Sequence, residues 1–144
     1  MNFKTPGIKH AGLALDIDAV CACIAATQRE NGDIPWSDGD KSDPWDMVEA
    51  AMGLTIGGYY QQARAAFAWL QKKQHDDGSW HASYINGEPK DRTFDTNVSS
   101  YIAVGVFHYF LITGERDFLE QMWPAVDAGI NFAVSLQTPR GEIK

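Results

Sequence analysis

Asp43, Asp46 and Glu49 recur at every third residue through "DPWDMVE", and Asp91 and Asp95 bracket "DRTFD" further along. Carboxyl groups set close together can do acid chemistry. One in partly apolar surroundings has a raised pKa and can protonate an alkene or a glycosidic oxygen, while a better solvated neighbour stabilises the cation that results. Trp36, Trp45, Trp80, Phe94 and Tyr101 offer aromatic faces that stabilise such a cation or stack on a sugar. A second job competes for the same acids. Asp43 and Asp95 are good helix N-caps, and Asp46 suits the positive end of a helix without any catalysis. Glu49 is different: it falls inside an otherwise apolar helix, has no capping role, and must be solvated or paired.

The elements that carry these residues read as helices nearly throughout. Asp16 to Gln28 has apolar positions at Val20 and Ile24, with Asp16 or Asp18 available as N-cap, and ends in a turn at Gly32. The loop "GDIPWSDGDKS" leads to Asp43, followed by Pro44 at the first helical position, where a missing N–H costs nothing. That helix should run through "WDMVEAAMGLTI" and fail at Gly57-Gly58. A third helix, "YYQQARAAFAWLQKKQ", delivers the chain to Gly78. After "SWHASYINGEPKDRTF" the pattern restarts at Asp95 with "TNVSSYIAVGVFHYFLI", which is apolar on nearly every face and is expected to be buried all round. Pro124 should divide the remainder into a turn of helix around Phe118 and a longer helix, "PAVDAGINFAVSLQ". No alternating strand of useful length is evident; "SWHASYI" is the best strand candidate.

Several function classes are excluded or disfavoured. A net charge of −7 with no basic run argues against nucleic acid or an anionic membrane surface as partner. No apolar run reaches the ~18 residues of a membrane span, and "MNFKTPGIKH" lacks the apolar stretch of a secretory signal, so a cytoplasmic location is expected. Cys21 and Cys23, two apart on a helix, point to different sides and read as small buried hydrophobes in a reduced compartment. The four histidines are scattered, and "QHDDGS" reads as a solvated turn, so no metal or cofactor is expected. His108 is expected to be a hydrogen-bonded core histidine.

Gln28, Gln74 and Gln137 each stand four residues before a glycine, and each ends one kind of helix. Each following loop leads to an Asp-capped second kind, an internal repeat of helical hairpins with irregular spacing. "FAWLQKKQHDDGSW" resembles the QW motif of terpenoid cyclases and prenyltransferase-like repeat proteins, in which Gln caps helix ends and Trp stacks on it. Gln74 and Trp80 match it, Gln28 with Trp36 is a looser copy, and the third lacks its Trp. The run from "GDIPW" through "DTNVSSYIAVGVFHYF" to "SLQTPRGEI" looks like bacterial proteins called prenyltransferases on the strength of such repeats. It is also similar to six-hairpin glycosidases.

The resemblance implies an all-α fold, an arc of about two and a half antiparallel hairpins from an α/α toroid. It implies a single domain portion over residues 1–144, truncated at its C-terminal end, whose bare apolar edges favour self-association. Inner helices of a toroid line a central cavity. That plan implies Asp46, Glu49 and Asp95 as candidate catalytic groups, with Trp36, Asp43, Trp45, Trp80, Asp91, Phe94, Asn97 and Tyr101 as substrate contacts. A small isoprenoid or saccharide is the implied partner. The first reading is acid-assisted carbocation chemistry of the cyclase and prenyltransferase class; the alternatives are a carbohydrate-active six-hairpin glycosidase and a non-catalytic helical scaffold. The cyclase acid motif, the isoprenyl diphosphate-binding motif and the prenyltransferase zinc set are all missing, and nothing matches the Trp and Glu pattern of a glucoamylase acid.

Overall fold

The computed structural model describes residues 16–143, so the expectations placed on the N-terminal "MNFKTPGIKH" lie outside the described residues. Five helices and one hairpin follow in order: α1 (Ile17–Thr27), α2 (Pro44–Ile56), α3 (Tyr60–Lys73), β1 (His81–Ile85), β2 (Glu88–Phe94), α4 (Thr96–Thr113) and α5 (Arg116–Ser135). The helix starts follow the sequence signals. Asp16, Asp43 and Asp95 are N-caps whose side chains accept from backbone N–H groups of the first turn, and Pro44 opens α2. Gly114 ends α4 in the left-handed conformation.

Antiparallel pairs α2/α3 and α4/α5 pack through one core. Met47, Val48, Ala51 and Leu54 of α2 meet Phe67 and Leu70 of α3, Ile102, Val106 and Tyr109 of α4, and Phe118 and Met122 of α5. Phe67, Tyr109 and Phe118 form a tilted aromatic cluster at its centre, with ring centroids 4.4 to 6.3 Å apart.

The repeat has a physical meaning. Gln28 Nε2 donates to Gly32 O, 3.0 Å away in its own turn, and to Gln62 O of α3 at 2.9 Å. Gln74 does the same, to Gly78 O at 3.1 Å and to Ala125 O of α5 at 2.9 Å. Each of these two glutamines thus ties its turn to the helix after next, Gln28 to α3 and Gln74 to α5. Gly32 and Gly78 have φ of +95° and +90°, and a Cβ there would sit 2.3 and 2.1 Å from the carbonyl oxygens of Ala65 and Ala128. Only glycine fits such a turn.

Five expectations are corrected. The fold is mostly helical but not all-α: β1 and β2 pair antiparallel across the Asn86-Gly87 turn, and Ser42 exchanges two backbone hydrogen bonds with Tyr84. Pro124 does not divide α5. It lies on the exposed face of a continuous helix, as does Glu120, whose carbonyl it cannot pair. Nor is α4 buried all round: Val104, Phe107 and Leu111 are exposed along one face. Half-buried His108 has no hydrogen-bond partner at Nδ1 among the described residues, and burial pushes its pKa down. Cys21 is buried and donates its thiol to Gly53 O, but Cys23 is exposed.

The QW reading is also refined. Counted from the glutamine, the residue matching Trp80 is Ile34, and both are buried; Trp36 is more than half exposed and has another role. No helix among the described residues is long and apolar enough to cross a membrane.

Candidate active site

The N-terminal turns of α2 gather most of the expected residues. Asp43 Oδ1 caps the helix by accepting from Asp46 N at 2.9 Å, and its Oδ2 accepts from Trp36 Nε1 at 2.7 Å. One carboxylate therefore both starts the helix and fixes an indole. Lys41 places its ammonium 3.9 Å from the centre of the Trp36 ring, an arrangement that favours cation–π attraction. The chain can deliver Lys41 there because the adjoining Ser42 is paired with Tyr84, which anchors the loop to the β-hairpin.

Asp46 is exposed at the residue level, yet its carboxyl pKa is raised. Partial desolvation is the largest cause, followed by the charge of Asp43, a hydrogen bond with the Asp43 carboxyl, and the charge of Glu49. Lys41 opposes these. A carboxyl beside other acids is harder to ionise, and Asp43 and Glu49 both act on Asp46 in that direction. Asp46 also lines a cleft of about 310 Å³ with Ile24, Ile34, Pro35, Trp36 and Ala50, a mostly apolar wall to which Thr27 adds a hydroxyl and Cys23 a thiol.

Glu49 is paired, as its place in the helix requires. Its Oε1 accepts from Trp45 Nε1 at 3.0 Å and from Tyr101 Oη at 3.2 Å. The Trp45 and Tyr101 rings are parallel within 2°, with centroids 3.9 Å apart, so α2 and α4 are joined by a stacked aromatic pair carrying a carboxylate. Burial and then the Glu49 carboxylate push the Tyr101 pKa up, which keeps its phenol protonated as the donor.

The remaining candidates lie elsewhere. Asp95 accepts from Asn97 N at 2.7 Å and lines a separate cleft of about 390 Å³ with Phe94, Asn97 and Ser100. It has no hydrogen bond to the α2 acids. Asp91 belongs to β2, where it accepts from the backbone N and the hydroxyl of Thr93 and is held below the usual carboxylate range by those bonds. Phe94 is exposed and stacks on His81. Trp80 is corrected outright as a substrate contact: it is 1% exposed, and its indole N–H donates to Leu70 O. Lys41 was missed, because nothing local distinguishes a lysine that meets an indole five residues back from one in water.

No family model matches the chain. Over 120 residues, 83% of the chain, it is 48% identical to an MMP endo-(1,4)-3-O-methyl-alpha-D-mannosidase of Mycolicibacterium hassiacum, and it spans 33% of that protein's length. Over 67 residues, 46% of the chain, it is 30% identical to an uncharacterized glycosyl hydrolase of Methanocaldococcus jannaschii, spanning 11% of it. Both relatives carry glycosidase names, so the comparisons favour the carbohydrate-active alternative over the cyclase and prenyltransferase reading.

Proposed function

We propose that the chain is part of a glycoside hydrolase, an arc of helical hairpins from an α/α toroid, acting on an α-linked mannoside of the kind named for the first relative. The observation that carries this reading is Asp46: an acid with a raised pKa, on a cleft with a mostly apolar lining, beside a second carboxyl. In this role Asp46 protonates the glycosidic oxygen as general acid. Glu49, oriented by two donors, is the second carboxyl group set to face the oxocarbenium ion that forms as the bond breaks. Trp36 and the Trp45–Tyr101 pair give sugar rings flat faces to stack on, with the Lys41 contact steadying Trp36. The apolar wall beside Asp46 suits the O-methyl groups in that relative's name better than it suits free hydroxyls.

The test is to incubate the polypeptide with α-(1→4)-linked mannose oligosaccharides, methylated and unmethylated, and with geranylgeranyl diphosphate, and to follow products by mass spectrometry. Shorter oligosaccharides from the methylated substrate, lost in Asp46→Asn, are the expected result. Hydrolysis that survives both Asp46→Asn and Glu49→Gln would remove these acids from the mechanism. Turnover of the diphosphate alone would restore the carbocation reading.

A further inference from the structure

Ser42 is buried and held in a β-bridge: its N–H donates to Tyr84 O at 2.9 Å, and its C=O accepts from Tyr84 N at 2.8 Å. Asp43 beside it is also extended, at φ −137° and ψ 155°. Successive side chains of an extended chain point to opposite sides, so with Ser42 turned inward its neighbours Lys41 and Asp43 share the outer side. Both meet Trp36 there. Lys41 covers one face of the indole, Asp43 accepts from the indole N–H, and the Trp36 backbone N–H donates to Lys41 O at 2.9 Å, which closes the loop 36–41. Lys41 is half-buried and forms no ion pair among the described residues, although Asp38, Asp40, Asp43 and Asp46 are close to it in sequence.

The partner of Ser42 belongs to the second repeat. Tyr84 is buried and stands edge-on to Trp69 of α3, with ring centroids 5.1 Å apart. Lys73, at the end of α3, donates to Gly87 O in the hairpin turn, and its ammonium lies 5.8 and 5.9 Å from the centres of the Trp69 and Tyr84 rings. Pro89 stands opposite Tyr84 in β2, where a residue without an N–H costs nothing, because Tyr84 turns its own N–H and C=O away to Ser42. The hairpin is therefore docked on α3 by Lys73 and Tyr84, and its other edge holds the loop that leads into α2.

We propose that the β1–β2 hairpin positions the acid site of α2, with Lys73 and Tyr84 as positioning residues that act through Ser42 on Lys41, Asp43 and Trp36. Trp36 and Asp46 line the same cleft, so a hairpin fixed on the second repeat shapes a site built on the first. The charges around Asp46 follow the same path. After partial desolvation, Asp43 and then Glu49 raise the Asp46 pKa, and Lys41 lowers it. Asp43 is also held by its cap bond to Asp46 N, whereas the Lys41 ammonium has the Trp36 ring as its contact. Loosening the hairpin frees Lys41 first and lets the Asp46 titration move up. What this means for hydrolysis rests on the reading of Asp46 as general acid; the positioning itself does not.

Three NMR signals of the whole chain test this without turnover: the Asp46 carboxyl titration, the Trp36 indole N–H and hydrogen exchange at the Ser42 amide. Lys73→Met removes the bond to Gly87 O and keeps an apolar side chain against Trp69 and Tyr84. Gly87→Ala has room for its Cβ but strains a turn at φ +79°. In each variant Ser42 should exchange at least about tenfold faster, the Trp36 signal should move, and the Asp46 midpoint should rise, as it should in Lys41→Met. Lys73→Arg should stay near wild type. Lys72→Met, which removes an exposed charge one residue away, should change none of the three. Wild-type behaviour of all three signals in both hairpin variants overturns the proposal. Faster exchange at Ser42 with Trp36 and Asp46 unmoved also overturns it, since the bridge then carries nothing to the site. Failure of the hydrolysis reading is a separate result: turnover that survives Asp46→Asn removes the acid from the mechanism and leaves the response of these signals to Lys73→Met as it was.

Discussion

The starts of α2 and α4 are two versions of one device. Each is an aspartate that caps a helix from extended backbone, half-buried Asp43 in one and exposed Asp95 in the other. Three and six residues on they diverge: α2 has Asp46 and Glu49, where α4 has Val98 and Tyr101. The Tyr101 that replaces the glutamate is the residue that stacks on Trp45 and donates to Glu49. One helix therefore carries the charge and its neighbour, from the equivalent position, holds it. The capping aspartate is common to both helices, while the extra acids are found on α2 and not at the matching positions of α4.

That division predicts unequal effects of equal substitutions. Asp46→Asn should lower kcat for the mannoside by about 100-fold or more, the scale of losing a general acid, while Asp95→Asn should leave it within about twofold. Comparable losses at both positions would erase the distinction. Tyr101→Phe keeps the stacked ring and removes one bond to Glu49, a loss of about 1 kcal/mol or roughly fivefold in rate, without a large change in stability. Turnover by Glu49→Gln should fall further than that.

The pH profile sharpens the contrast. A general acid works protonated, so the rate should fall as pH rises through the raised pKa of Asp46. Asp43→Asn removes the neighbouring charge that ranks second among the causes, and Asn caps a helix as well as Asp does. The falling limb should therefore move to lower pH with the helix intact, and Asp95→Asn should not move it. The smallest expected effect is one of stability. Asp95→Ala should cost about 1 kcal/mol by chemical denaturation, and Asp43→Ala somewhat more, because it also releases the Trp36 indole.

Much of this was legible in the chain. Asp43-Pro44 and Asp95 marked helix starts because capping is chemistry between near neighbours, and Glu49 stood out because a charge inside an apolar helix needs an explanation. The glutamine turns were legible as a repeat, although Trp36 was wrongly matched to Trp80: the indole drew the eye, while the buried slot in the first turn is filled by Ile34. The β-hairpin was half seen. Asn86-Gly87 is a strong signal for a two-residue turn, but "EPKDRTF" is charged, nearly all exposed and carries a proline, so nothing alternates. The Lys41 contact, the bare face of α4 and the continuity of α5 through Pro124 depend on what lies across the fold, which local pattern does not record.

The first two glutamine turns each close on a helix that comes later in the chain: Gln28 needs the carbonyl of Gln62, and Gln74 needs that of Ala125. A ribosome makes the lock first and the keyhole dozens of residues afterwards. During synthesis the most recently completed turn is thus always open, and each hairpin is fastened only when its successor has emerged. The Gln28 tie can therefore form before the Gln74 tie during synthesis, since its partner is made first.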